Sequence, residues 1–256
     1  EAVDLDALPT DAGGISEKKA AKRLKKEVAA AAALQEVLAA AKTQAVLVVV
    51  QAMDAAGKDG AIKHAMTGLN PAWTRVSAFK KPTPEEAAEH FLARIRRQVP
   101  EKGIVGVFNR SQYEDILVPT VFKTLPAAEV ESRYAQIVRF EAELAARGVR
   151  VVKVFLHESK GVQRERLQAR LDRPEKRWKF SRADLESRAR WDDFQAAYAA
   201  VLARTSTVFA PWHAIPADSK PRRDLAFAKL LRKTLARMGL SYPAEEAGLD
   251  SVKIPE

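Results

Sequence analysis

With 256 residues, 47% of them hydrophobic and 30% charged, the chain is sized for one large core with an attached lid, not for two full domains. The lack of cysteine excludes a disulfide framework and a thiolate metal centre, and it fits a reducing compartment such as the cytoplasm. A formal charge of +10 predicts a polyanionic partner, whether nucleic acid, anionic lipid or a phosphate polymer, without choosing among them.

Residues 1–8 are acidic and mixed and show no secretory signal. Residues 16–42 are rich in Ala, Lys, Glu and Leu and predict a helix. The apolar run 45–50 is strand-sized, too short for a membrane span, and predicts a strand of a parallel sheet buried on both faces. A Gly-containing turn and a short helix to about Thr67 follow. Residues 73–79 predict a second strand. Thr83 as N-cap, Pro84 at the first helical position and Glu86 at the third open a helix expected to reach Gln98. Residues 104–108 predict another central strand, 128–147 a helix stopped by Gly148, and 150–156 a further strand. From 159 to 204 the pattern is helical with a break at Pro174. Ser181 and Asp184 form a capping-box signature there, and Trp191, Phe194, Tyr198 and Val201 recur at helical spacing as a buried face. A last strand region at 207–215, a last helix at 219–238 and a loosely held tail from 241 complete the chain.

Strands alternating with helices predict a parallel sheet covered on both sides, with ligands beyond the carboxyl ends of its strands. Three strand exits therefore matter: those at Gln51, Asn109 and His157. The first reads Gln51-Ala52-Met53-Asp54-Ala55-Ala56-Gly57-Lys58-Asp59-Gly60. Its Gly57-Lys58 stands where a phosphate-binding loop has them, between strand and helix. Backbone N–H groups of 55–60 would face a phosphate, and Lys58 would add a full charge. Ala52 stands in place of the loop's usual first Gly. Asp59 stands in place of the Ser or Thr whose hydroxyl meets Mg²⁺, so a carboxylate must take that part, and Asp54 is the candidate. The plain alternative is a turn with an exposed Lys.

The stretch Met53 to Gly60 closely resembles the phosphate loop of the polyphosphate kinase 2 family. Phe79-Lys80-Lys81-Pro82-Thr83 agrees with it. So do Phe108-Asn109-Arg110-Ser111-Gln112-Tyr113-Glu114-Asp115, Arg173-Pro174-Glu175-Lys176-Arg177-Trp178-Lys179-Phe180-Ser181, and the run from Ala210 to Lys220. The resemblance implies a P-loop kinase-like three-layer α/β/α fold with a parallel central sheet. It implies one phosphotransferase domain over 1–256, with a helical lid at 159–204. It implies reversible transfer of the terminal phosphoryl of inorganic polyphosphate to AMP or ADP, dependent on Mg²⁺ with Mn²⁺ as a substitute, in a homo-oligomer of two or four copies. By resemblance Asp54 holds Mg²⁺, and Lys58, Arg110 and Arg170 contact phosphates. Many members carry Asp at the place of Asn109 and Asn at the place of Glu114. The form found here resembles the branch that accepts AMP as well as ADP, and it makes Glu114 a second metal candidate.

Arg166, Arg170 and Arg173 follow an i, i+4, i+7 spacing, one helix stripe able to grip successive phosphates or to be a solvated face. Half the net charge lies in this neighbourhood, since 164–190 holds ten Lys or Arg against five Asp or Glu. Lys63, Lys80 and Lys81 are candidates for the same channel. Asn109, Asp115, Lys176, Arg177, Trp178 and Lys179 are candidates for the nucleotide side, with Trp178 either stacking a base or packing on its own hinge. The four histidines lack metal-ligand spacing; His157 could carry a phosphoryl group, although direct in-line transfer needs no carrier. The basic run 18–26 is a solvated helix face or an oligomer contact. Two rival functions remain at this level. One is an ATP-dependent nucleoside monophosphate kinase. The other is a basic nucleic-acid-binding protein, although the aromatic-rich strands of single-strand readers are missing.

Overall fold

A computed structural model describes residues 3–249 and 252–255. The first two residues of the segment that shows no signal, and residues 250, 251 and 256 of the tail, lie outside the described residues. In chain order the elements are α1 (Glu17–Ala41), β1 (Ala45–Ala52), α2 (Lys58–Met66), β2 (Thr74–Ala78), α3 (Pro84–Ala88), α4 (Ala93–Arg96), β3 (Val105–Asn109), α5 (Glu114–Phe122), α6 (Ala127–Ala146), β4 (Val149–His157), α7 (Lys160–Asp172), α8 (Arg182–Ala189), α9 (Trp191–Thr205), β5 (Trp212–Pro216) and α10 (Lys220–Ala236). The five strands form one all-parallel sheet in the order β2-β3-β1-β4-β5. Among the described residues no helix is long and apolar enough to cross a membrane.

The central strand is buried along its whole length, as its unbroken apolar run predicts. Alternate side chains serve two cores. Ala45, Leu47 and Val49 join Ile116, Phe140, Phe155 and Tyr198 under α5, α6 and α9. Val46, Val48 and Val50 join Leu38, Ala65, Phe227 and Leu231 under α1, α2 and α10. Each fully buried Val or Leu contributes roughly 1.5–3 kcal/mol, so the period-2 pattern fixes which helices lie on which face.

Two differences from the sequence reading have physical causes. The helix expected from 83 to 98 is two short ones. The Thr83–Glu86 capping box forms, but α3 has no buried residue, and Glu89 turns extended at φ −92° and ψ 169°. The chain then restarts so that Leu92 and Ile95 can enter the core. The second difference is α5, which has no counterpart among the expected elements because Pro119 lies inside it. Proline removes the bond to the carbonyl four residues back. Here that carbonyl is Asp115 O, and it accepts from Arg133 Nη1 at 2.9 Å instead. In 159–204 the break at Pro174 and the Ser181–Asp184 capping box are present, Trp191, Phe194, Tyr198 and Val201 form the buried face expected of them, and the run 171–183 is largely exposed.

Candidate active site

Strands β1 and β3 are neighbours in register, with Val50 opposite Asn109, so their exits lie side by side. Past β1 the chain makes a tight turn in which Ala55 (φ 68°) and Gly57 (φ 89°) are both left-handed. For Ala55 this conformation costs about 1–2 kcal/mol. Helix α2 then starts at Lys58 with Gly57 as its N-cap and no side-chain cap. Its first N–H groups are thus left for an anion. Lys58 Nζ donates to Ala52 O at 2.9 Å and Met53 O at 3.2 Å, inside its own loop. Burial holds its ammonium below the usual lysine range, and the Asp54 carboxylate opposes that.

Past β3, Arg110 is also left-handed, at φ 62°. Its N–H bonds Val50 O at 3.1 Å, and its Nη2 donates to Asp54 Oδ1 at 3.0 Å. Glu114 opens α5 one turn later. Burial raises its carboxyl above the ordinary value; Arg110 and Lys58 pull it back, and Asp54 adds to the rise. Burial works against the Arg110 guanidinium, but Glu114 and Asp54 outweigh it and raise its pKa. Asp54, Arg110, Glu114, Asp184 and Tyr198 line one cavity of about 280 Å³. Three acids, Asp54, Glu114 and Asp184, line one small space beside the Gly57-Lys58 turn, and such a space suits a hard cation, which commonly takes one or two carboxylates and completes its shell with phosphate oxygens and water. With Asp184 tied to Arg170, the donor set fits a divalent cation held by Asp54 and Glu114. Among the described residues no group of three or more His, Asp or Glu side chains forms a metal cage without such help.

The remaining sequence candidates divide. Asn109 Nδ2 donates to Asp59 Oδ1 at 2.8 Å, which ties the second exit to the first turn of α2. Arg170 Nη1 reaches Asp184 Oδ2 at 2.9 Å and Lys179 O at 3.0 Å, at the edge of the cavity. Arg166 is drawn to protein carbonyls and to Glu158. Asp115 turns away to Arg94 at 3.2 Å. Lys63, Lys80 and Lys81 are exposed. Arg173 and Lys176 lie near Lys220, whose pKa is lowered by burial and then by Arg166, Arg223 and these two cations. Arg177 Nε donates to Leu171 O at 2.8 Å. Trp178 is 77% exposed with Lys179 Nζ 4.9 Å from its ring centre, so it does not pack on the hinge. His157 is buried and does not line the cavity.

Sequence reading misses several neighbours of the site. Gln163 Nε2 donates to Asp54 O at 3.0 Å. Asp184 and Tyr198 line the cavity from α8 and α9, although their spacing marks them only as a cap and a core residue. Glu158, one residue past β4, is 2% exposed, and burial raises its pKa to about 8 against the pull of Arg166 and Lys58. Its place at a strand exit is the available signal. Arg223 and Asp224 of α10 stand behind the loop and carry no signal beyond helical charge.

With this geometry in place, the relatives agree. The chain matches the family described as Polyphosphate kinase 2 (PPK2) over residues 14–242. It is 47% identical over 209 residues to an AMP/ADP-polyphosphate phosphotransferase of Meiothermus ruber, covering 82% of this chain and 78% of that one. It is 42% identical over 257 residues to an ADP-polyphosphate phosphotransferase of Rhodopseudomonas palustris, covering 95% and 89%. Its fold superposes on the crystal structure of Polyphosphate Kinase 2 from Arthrobacter aurescens TC1 with a TM-score of 0.91 at 42% identity, covering 97% of this chain and 89% of that one. On this family match over most of its length and this identity to two curated relatives, the chain belongs to the polyphosphate kinase 2 family.

Proposed function

We propose that this protein is a polyphosphate kinase that moves the terminal phosphoryl of inorganic polyphosphate directly to AMP or ADP, with Mg²⁺, or Mn²⁺ in its place, held by Asp54 and Glu114. One observation carries the site assignment: Asp54, Arg110 and Glu114 line a single cavity beside Lys58 and the uncapped start of α2. The acceptor names of the relatives support the choice of nucleotide.

An oxygen of the acceptor phosphate forms the new P–O bond. The bond from that phosphorus to the rest of the polymer breaks, and the shortened polymer keeps the electron pair. The attacking oxygen is already ionised, so no general base is needed. The loop N–H groups and the Lys58 ammonium orient the transferring phosphate, and Lys58 exchanges its loop carbonyls for phosphate oxygens. Arg110 exchanges Asp54 for the charge that builds on the moving group. When bound by Asp54 and Glu114, the metal would neutralise charge on the reacting phosphates. Arg170, tied to Asp184, sits where the polymer would leave the cavity. Within the proposed lid, 159–204, the exposed run 171–183 is the part that would close and exclude water. The reading includes a homo-oligomer acting in the cytoplasm.

Incubation with Mg²⁺, polyphosphate and AMP, ADP or GDP, followed by chromatography, tests it. Formation of ADP and ATP from polyphosphate as sole donor is expected. Transfer from ATP alone, with none from polyphosphate, overturns it in favour of a nucleoside monophosphate kinase.

A further inference from the structure

Two arginines meet behind the phosphate loop. Arg223, in the first turn of α10, is 1% exposed and donates Nη1 to Ala56 O at 3.0 Å. Arg166, from the middle of α7, donates Nη1 to the same carbonyl at 3.2 Å and to Ala55 O at 3.4 Å. Like charges this close repel, so each is held by several acceptors, one of them an acidic side chain. Glu158 Oε2 lies 3.0 Å from Arg166 Nη1. Asp224 Oδ1 accepts from Arg223 Nε at 2.8 Å and Nη2 at 2.6 Å, and Oδ2 of the same carboxylate lies 2.5 Å from His64 Nδ1 on α2. Arg166 Nη2 is also engaged, by Ala217 O at 2.7 Å and Asp218 O at 2.9 Å past β5. Both guanidinium groups therefore serve protein acceptors, not an open channel.

Their target is the peptide between Ala56 and Gly57. In a trans peptide the carbonyl and the following N–H point opposite ways. Holding Ala56 O from behind turns the Gly57 N–H forward, at the entrance to α2. The fit is close: a Cβ on Gly57 would stand 2.2 Å from Arg223 Nη1.

We infer that Arg166 and Arg223 are positioning residues for phosphoryl transfer, one from α7 and one from α10, which grip the Ala56 carbonyl and so aim the loop's N–H groups at the substrate. This rests on the proposed reading of the loop as the phosphate cradle. It takes Arg166 out of the polymer-binding stripe predicted from its spacing, and it links α7 to the shape of the cradle.

The test compares Arg166→Lys, Arg223→Lys and the double variant with Asp54→Asn, using Mg²⁺, AMP and either tripolyphosphate or long-chain polyphosphate. Thermal melting establishes that each variant folds. A displaced loop should lower kcat about 10-fold or more for both donors alike, with the donor KM within about threefold of wild type. Direct contact with the polymer predicts the opposite split: kcat kept, and a KM that rises more for the long donor. That result, or unchanged kinetics in the folded Lys variants, overturns the inference. Should Arg223→Lys fail to fold, Arg166→Lys carries the same test, and Arg166→Ala is assayed with guanidinium against equal NaCl. Recovery of kcat with guanidinium alone is expected, and no recovery counts against the inference. If Asp54→Asn keeps full turnover, the reading of the site fails. If Asp54→Asn is inactive while the Lys variants match wild type, only the buttress fails.

Discussion

Arg110 Nη2 stands 3.0 Å from Asp54 Oδ1, joining the exits of two adjacent strands across the mouth of the cavity. The contact follows from topology. Parallel pairing of β1 with β3 sets Asn109 opposite Val50, and the left-handed turn at Arg110 swings its side chain back over the loop. The pair is partly open, with side-chain exposures of 40% and 21%, so solvent screens it and it adds little to stability. Its importance is chemical. It keeps an acid and a guanidinium matched at the place where a cation and a phosphate would each take one partner.

Asp54→Asn should therefore leave the fold intact and remove catalysis. An open ion pair contributes about 0–1 kcal/mol, so the melting temperature should move by only a few degrees. Turnover should fall at least about 100-fold, because a neutral amide is a poor ligand for a hard cation. Calorimetry and nucleotide chromatography on the same preparation check both halves. Full activity in the variant rejects the role given to Asp54.

Arg110→Lys keeps the charge and loses the planar fork. A guanidinium can bridge two oxygens of a transferring phosphoryl group, while an ammonium acts as a point charge. An expected kcat loss of about 100-fold, with nucleotide KM little changed, follows from a contact made mainly in the transition state. The double variant with Asp54→Asn should be scarcely worse than the worse single change, since the two residues act on one event. Losses that multiply would separate them.

Much of the fold is legible from the period of the apolar residues. The run 45–50 could be buried on both faces only in a parallel sheet, and Gly148 and Ser159 punctuate α6 and α7 where expected. The loop at 53–60 is legible because its chemistry is local in sequence. Legibility ends where structure depends on distant partners. Nothing near Pro119 announces that Arg133 will cover the carbonyl its ring leaves open. Nothing in the spacing of Arg166 says that its guanidinium will meet Glu158 and the Ala56 carbonyl. The α9 face is plainly apolar in sequence, but which residues of the core it meets is a tertiary fact.

The pH dependence of activity should carry the mark of Glu114. Burial raises its carboxyl, so it stays protonated at mildly acidic pH where an ordinary glutamate is ionised. The carboxylate is the form that holds a cation, so kcat/KM should rise with pH through this raised value. The acid limb of the profile should then lie above the ordinary glutamate value of 4.5. Glu114→Gln should lose that limb along with most activity. A wild-type profile flat down to the ordinary glutamate range contradicts the assignment.

Stability should depend on pH through Glu158. Its pKa rises from 4.5 to about 8 on folding, chiefly through burial. The folded state then binds a proton that the unfolded state has released, so this contribution is full below the unfolded value and is lost as pH rises toward the folded one. Every tenfold gain in proton affinity on folding corresponds to about 1.4 kcal/mol. Between pH 5 and 8 the wild type should lose stability with a slope that Glu158→Gln lacks. Urea unfolding at several pH values measures it, and parallel slopes in the two proteins would exclude the effect.

Beneath the site lies a second buried network. Lys153 Nζ of β4 is 2.6 Å from Glu141 Oε2 of α6, both side chains being fully buried. Tyr113 Oη donates to Glu141 Oε1 at 2.7 Å and accepts from Lys153 Nζ at 2.9 Å, while Thr205 O takes a further Lys153 bond at 2.6 Å. Burial works against both charges, lowering the lysine and raising the glutamate, and their contact opposes each shift. Removing one partner strands the other, so Lys153→Met should cost about 3–5 kcal/mol, whereas Lys153→Met with Glu141→Leu should recover much of it. Tyr113 immediately precedes Glu114, so the single variant should also lower kcat at temperatures where it remains folded. Denaturant unfolding of the two variants decides the matter: a single change as mild as the double one would mean that the buried pair is not coupled, and that Tyr113 is held by packing alone.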